Sequence, residues 1–453
     1  MTENKGFYKS FFSIYVALVL QNVITISVNL ADNMMLGAYS ETSLAGVAAV
    51  NQIQFVYQQI LNALGDGLVI ICSQYWGKKM VGPMKKIGAS AMRLGLLVAV
   101  LLFLLVSVFP YQVVGIFTTD GPIIQEGVGY LNIIRFTYVF FAVTQLLLAA
   151  LRSVEVVRIA FYLSIMTFFV NCGINYVLIY GRFGAPEMGA AGAAVGTLAA
   201  RILECSILIY YMWKKETSLH MKWKDYLQFD RVLFRDYMKL TSPMLVVQSL
   251  WGINTALQTA ILGHMTAAAI AANSAASTLF MLVKSTAVGA ASTASIIIGK
   301  TVGTGKIDLA KRYSEKLQRV FLVIGVCSGI LLFFIRVPVL SLYDLSASTK
   351  EMTNTFLIIL SVICVGMSYQ MPTNNGIIRG GGNTMFVVKM DLVSIWMIVI
   401  PLSLIMAFVV KASPAVVVCC LNADQIFKCV PAYLESHYGN WIKKLTREEK
   451  INL

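Results

Sequence analysis

Long apolar stretches alternate with short polar segments along the whole chain, and they break where Gly, Pro and charge cluster. Their approximate bounds are 11–37, 46–75, 88–109, 127–150, 159–181, 190–213, 240–263, 272–299, 318–336, 354–378, 384–409 and 412–431. A helix needs about 20 apolar residues to cross a bilayer core, so each stretch reads as a spanning helix. The pattern predicts an all-α polytopic membrane protein with 12 transmembrane helices. Composition supports this: 58% of the 453 residues are hydrophobic and 13% are charged, with a mean hydropathy of +0.73. A soluble domain is about a quarter charged.

The first span carries four polar residues, Asn22, Thr25, Asn29 and Asp32. Their spacing of three, four and three puts them on one helical face. Taken alone, the amides and the hydroxyl there read as polar glue between helices. Asp32 does not, because a carboxylate near mid-membrane costs on the order of 3 kcal/mol and normally marks an ion or substrate path.

Shifting the chain by 226 residues superposes Leu36-Gly37 on Leu262-Gly263, Leu44-Ala45 on Ile270-Ala271, Gly77 on Gly303 and Lys85-Lys86 on Lys311-Arg312. One residue more aligns Leu151-Arg152 with Ile378-Arg379. The chain therefore divides into two six-helix lobes related by a parallel internal repeat. The expected domains are an amino-terminal lobe over 1–213, a linker over 214–239, a carboxy-terminal lobe over 240–431 and a tail over 432–453. The same shift carries Asn22, Thr25, Asn29 and Asp32 onto Gln248, Trp251, Thr255 and Gln258. The stripe persists while the carboxylate becomes an amide, as expected of a coupling site confined to one half.

The net charge of +14 raises the question of nucleic acid, but its distribution answers it. With twelve spans the termini share a side. That side holds Lys78, Lys79, Lys85, Lys86 and Arg93, the basic linker, the 300–319 segment and the tail with Lys443, Lys444, Arg447 and Lys450. The opposite loops hold only Arg182, Arg336, Lys350 and Lys411. This bias makes both termini cytoplasmic and requires no nucleic-acid partner. The first apolar run is too long for a cleaved signal and is expected to be its own insertion signal. Eight Cys without paired CxxC spacing read as small hydrophobes, and His220, His264 and His437 form no HExxH metal motif.

The fifth and sixth spans carry the most specific text: Asn171-Cys-Gly-Ile-Asn175, Tyr180-Gly181, then Met188-Gly189-Ala-Ala-Gly192-Ala-Ala-Val-Gly196-Thr197. Asn171 and Asn175 share a face, and the Gly/Ala-rich opening of the sixth span permits close packing. With Thr197 they offer three neutral oxygens to Asp32, which suits either a desolvated Na⁺ or a protonated carboxyl. Arg201 and Glu204, three apart, read as an intramembrane pair. Lys284, inside the eighth span, is open to two readings: a Lys beside a water-filled cavity, or a substrate-selecting or gating charge that disfavours strongly cationic compounds. Asn22, Asn29, Gln248, Gln258, Lys284, Arg201 and Glu204 are the candidate cavity and substrate residues. Asp66 and Asp391 lie toward cytoplasmic ends of their spans and read as packing or gate residues.

These features together resemble the multidrug and toxic compound extrusion (MATE) transporters. The likeness rests on the text of the fifth and sixth spans, the Asp32–Gly37 run with Leu44-Ala45-Gly46, the Leu151-Arg152 and Ile378-Arg379-Gly380-Gly381 steps, and the two six-helix halves. It covers nearly the whole chain and weakens after about Val410. The resemblance implies a cation-coupled exporter whose two V-shaped lobes alternate between inward and outward access. In the branch with an amino-lobe coupling site, the family's first-span Asp matches Asp32, its fifth-span Asn matches Asn171 and a sixth-span Thr matches Thr197. A second acid of that branch falls on Asn175, an amide here. The carboxylates of the other branch fall on Gln248 and within Pro372–Asn375, where this chain has no acid, so no carboxy-lobe cation site is expected.

The expectation is thus a secondary antiporter, not an enzyme, that exports small amphipathic organic compounds against inward H⁺ or Na⁺. It needs no cofactor, and the coupling ion at Asp32 is either H⁺ or Na⁺, with no other metal expected. It should sit among lipids of a bacterial cytoplasmic membrane and act as a monomer. A lipid-linked oligosaccharide or polysaccharide flippase is the alternative, and an intramembrane enzyme is a remote one.

Overall fold

The computed structural model describes residues 2–341 and 346–447; the end of the tail, with Lys450, lies outside the described residues. The chain is helical nearly throughout: α1 (Thr2–Tyr39), α2 (Glu41–Gly77), α3 (Val81–Val108), α4 (Pro110–Gly115), α5 (Gly121–Ile134), α6 (Thr137–Ser153), α7 (Arg158–Ile179), α8 (Gly189–Lys214), α9 (Arg231–Met265), α10 (Ala267–Gly303) and α11 (Ile307–Ser341). Three more long helices follow, α12 (Ala347–Ile378), α13 (Thr384–Val409) and α14 (Pro414–Tyr438). Among the described residues, eleven helices are long and apolar enough to cross a membrane, and α5 with α6 make a twelfth as one bent span. This is an integral membrane protein.

Several boundaries differ from the apolar pattern. The fourth span, expected over 127–150, is two helices meeting at 54°. The break falls at Arg135, whose guanidinium stacks over the Phe103 and Phe136 rings. A cation at the joint is drawn to ring faces in place of lipid. The linker, expected over 214–239, is shorter, because α9 begins at Arg231. Its remainder docks on α3: Lys85 pairs with Asp225 at 2.9 Å, Lys86 with Asp230 at 3.4 Å, and Arg93 donates to the Tyr226 carbonyl. Asp230 caps the start of α9, and the N–H of Leu233, with those of Val232 and the Lys86 ammonium, holds its carboxyl below the usual carboxylate range. The last span, expected to end at 431, continues to Tyr438.

The chain gathers into two compact units. One is drawn from residues 20–72 and 80–241, the other from the described parts of 1–19, 73–79 and 242–453. The second unit holds an apolar core in which Phe7 and Phe11 of α1 pack with Ile298, Leu317, Phe321 and Trp441. Trp441 belongs to the segment after α14, which the sequence left as tail. That segment is pinned in place. The Trp441 indole donates to the Ser436 carbonyl, the Lys443 N–H to the Gly381 carbonyl, and the Leu445 N–H to Gln74 Oε1, while Gln74 Nε2 donates to the Lys443 carbonyl. A buried indole, with backbone bonds at Lys443 and Leu445, is what makes an ordered strap of a polar tail. Trp441 is 1% exposed. Trp441→Ala should therefore cost about 3–5 kcal/mol. A melting curve in detergent indistinguishable from wild type would refute this packing role.

The same unit contains a buried ionic cluster. Lys428 of α14 donates to Asp391 of α13 at 2.9 Å and to Asp424 at 3.0 Å, and Arg379 approaches the other oxygen of Asp391 at 3.5 Å. Each charge has an opposite partner within reach, as burial requires. Asp391 is thus tied into packing. The i,i+4 spacing of Asp424 and Lys428 was visible in the sequence; their meeting with Asp391 was not.

Candidate functional site

The candidate site lies in the first unit, where α1, α2, α5, α6 and α8 surround a cavity of about 70 Å³. It has room for a few waters or an ion, far less than the 300–1,000 Å³ typical of a drug-sized pocket. Asn29, Asp32 and Asn33 of α1 line it, with Gln54 and Tyr130 opposite and Thr197 and Arg201 of α8 beside them.

Asp32 is held by a chain of amides. Asn175 Nδ2 donates to Asp32 Oδ1 at 2.7 Å and lies 3.3 Å from Asn171 Oδ1, and Asn171 Nδ2 donates to Thr197 Oγ1 at 3.1 Å. Asn171 and Asn175 sit one turn apart on α7 and are 1% and 0% exposed. The Tyr180 hydroxyl, donating to the Met35 carbonyl, ties the end of α7 to α1. Two glycines of α8 let this happen. A Cβ at Gly192 would lie 2.8 Å from the Leu178 carbonyl, so Gly there brings α8 directly against the α7 backbone. A Cβ at Gly196 would fall 2.0 Å from Asn175 Oδ1, so Gly196 makes the space the carboxamide occupies.

Several polar atoms around the site lack a partner. Asn175 Oδ1, Gln54 Nε2 and the Tyr138 hydroxyl are buried with no hydrogen-bond partner among the described residues. Buried polar atoms are rarely left so, and they suit water or an ion. Arg201 adds a positive charge close to Asp32 but is shared: it pairs with buried Glu204 at 2.7 Å and stacks 4.9 Å from the Phe141 ring. One carboxylate, amide oxygens and a hydroxyl, with a partly neutralised Arg at the edge, are the kinds of atom that a monovalent cation or a proton would use.

The other candidate residues are placed differently. Thr25 is exposed, and its hydroxyl turns back onto the Gln21 carbonyl of its own helix. Asn22 lies on α1 outside the residues lining the cavity, so the polar stripe of the first span divides near Asn29. Gln248, Gln258 and Lys284 belong to the other compact unit. The polar face of α2, Asn51, Gln54 and Gln58, was not singled out from the sequence, although its spacing of three and four places it on one helical face of the cavity.

The sequence model of the MatE family matches residues 17–177 and 243–405. A protein of Thermotoga maritima described as probable multidrug resistance protein NorM is 24% identical over 94% of this chain and 92% of its own length. In three dimensions, a crystallised MATE transporter of Vibrio cholerae superposes with a TM-score of 0.86 at 15% identity, covering 98% of this chain and 99% of its own. A MATE crystallised with the ligand MaL6 superposes with a TM-score of 0.85 at 16% identity, covering 94% and 95%. At such identities the structures establish the fold, and the matched sequence model establishes the family. This chain, whose described residues form long apolar helices able to cross a membrane, belongs to the MatE family and is a transporter, not an enzyme.

Proposed function

We propose that this protein is a multidrug exporter of the cytoplasmic membrane, with both termini cytoplasmic, that moves amphipathic organic compounds outward against inward H⁺ or Na⁺ by alternating access. The observation that carries the reading is Asp32, a carboxylate facing a small polar cavity and held by the amide chain Asn175–Asn171–Thr197. Its relatives described as probable multidrug resistance proteins support the substrate class.

The mechanism follows from that geometry. With Asp32 charged, the Asn175 carboxamide donates to it and its own Oδ1 stays free. A cation entering the cavity neutralises Asp32, draws Asn175 Oδ1 and the Thr197 hydroxyl toward itself, and shifts α7 and α8 against α1. The shift lowers drug affinity and favours release outside. A ligand moves such an equilibrium only by its differential affinity for the two states. Here the cation prefers the state with the site drawn together, and the drug prefers the other.

The test is ethidium movement in proteoliposomes with pH and Na⁺ gradients imposed separately. One gradient alone should drive it, which names the ion. No dye movement under either gradient would overturn multidrug export. A second expected result concerns Asn175→Asp, which places another carboxylate beside Asp32. The pH profile and Na⁺ dependence of efflux should both move. Unchanged profiles would show that residue 175 takes no part in cation binding.

A further inference from the structure

Lys284 sits inside the apolar run of α10, and among the described residues its ammonium has no hydrogen-bond acceptor and no carboxylate in ion-pair range. It is only half-buried. The two acids of the neighbouring cluster are already committed: Asp391 lies between Lys428 and Arg379, and Asp424 accepts from Lys428 and from Gln425 at 3.0 Å. Asp424 and Lys428 both act on Lys284 electrostatically, with opposite signs, and neither forms an ion pair with it. What faces the ammonium is the Trp251 ring of α9, 5.1 Å away. An aromatic face holds a cation but does not neutralise it.

The rest of that helix face is open and polar. Ser274 and Met281 are exposed and Thr278 is half-buried; with Lys284 they follow one another at three- and four-residue steps along α10. An ammonium in a membrane-spanning stretch does not face lipid, where it would lack a partner, so Lys284 faces water or a ligand, while the Thr278 hydroxyl donates to the Ser274 carbonyl of its own helix. The indole and a flexible thioether flank the charge, so the partner they fit carries an apolar or aromatic body beside its anionic group.

We propose that Lys284 and Trp251 form an anion subsite, and that the transported compounds include aromatic organic acids or zwitterions held through a carboxylate on Lys284. This rests on the exporter reading above and names a substrate class for it. The site lies in a different compact unit from the Asp32 cavity, which at about 70 Å³ is too small for such a molecule. A formal positive charge at the subsite also disfavours cationic compounds by direct repulsion.

The experiment titrates the purified full-length protein in lipid-free detergent with coumarin-3-carboxylate and, separately, with ethidium, following probe fluorescence. The forms compared are wild type, Lys284→Arg and Lys284→Met. Wild type and the Arg variant should bind the carboxylate within about threefold of each other, and the Met variant about tenfold more weakly or worse. Ethidium should bind the Met variant at least as tightly as wild type, which also shows that the variant is folded. Carboxylate binding unchanged in Lys284→Met would overturn the subsite, whatever ethidium does. Loss of both probes in Lys284→Met together with loss of carboxylate binding in Lys284→Arg would also overturn it, since Lys284 would then be holding structure. Proteoliposomes separate the two readings: Lys284-dependent binding with no export of either probe sinks the exporter, while ethidium export with Lys284-independent carboxylate binding sinks the subsite alone.

Discussion

Asp32→Asn should leave the protein inserted and folded and abolish gradient-driven export. The two side chains have the same shape, and Asn175 Nδ2, 2.7 Å from Asp32 Oδ1, can still donate to the oxygen of an amide. What disappears is the charge that a proton or Na⁺ must neutralise. One charge moved through 100 mV is worth about 2.3 kcal/mol, which sustains roughly a 50-fold drug gradient at one-for-one electrical coupling. In proteoliposomes that steady-state gradient should collapse to none, under a pH gradient and a Na⁺ gradient alike. Full export by the mutant would remove Asp32 from the mechanism. Slow leakage of dye insensitive to either gradient is the outcome that supports it.

Gly196→Ala makes the second large prediction, and it adds no charge. The new Cβ would fall 2.0 Å from Asn175 Oδ1 and 3.3 Å from the Asn175 backbone nitrogen, so the carboxamide must rotate away. Rotation breaks its bond to Asp32 and its contact with Asn171, and the amide chain comes apart at its middle. Overpacking of this kind costs about 1–3 kcal/mol of stability. Transport should fall about tenfold or more, because the group that answers the cation is no longer in place. Gly173→Ala is the control, since a Cβ there, on the α7 helix that carries Asn175, meets nothing within 4 Å. Efflux measured side by side decides the matter. Equal losses in the two variants would mean that the Asn175 geometry is not what couples transport.

The two substitutions probe different links. Asp32→Asn removes the charge and spares the packing; Gly196→Ala spares the charge and removes the packing that aims an amide at it. Loss in the first alone would assign coupling to Asp32 without its partners. Loss in both would make the site a unit of α1, α7 and α8.

The sequence by itself determined the class and the spans. A bilayer leaves unpaired backbone groups no water to bond, so apolar stretches of this length must be helical, and their number and order are written in composition alone. It also determined which residues share a helical face, because 3.6 residues per turn is a local property: Asn171 with Asn175, Asn29 with Asp32. It grouped Asn171, Asn175 and Thr197 with Asp32 as candidates, but held no sign of the distances and close approaches that join them. Asn175 reaches Asp32 across 143 residues of chain because Gly196 leaves room for its carboxamide, and such a close approach has no periodic signature. The bend at Arg135 was likewise hidden, since an unbroken apolar run can be one helix or two. So was the strap at Trp441, where a tail polar in composition is fixed by a buried indole and by a Gln more than 360 residues away. Hydrophobic period reports direction from one helix axis. Which helix lies in that direction, and at what distance, only the packed structure decided.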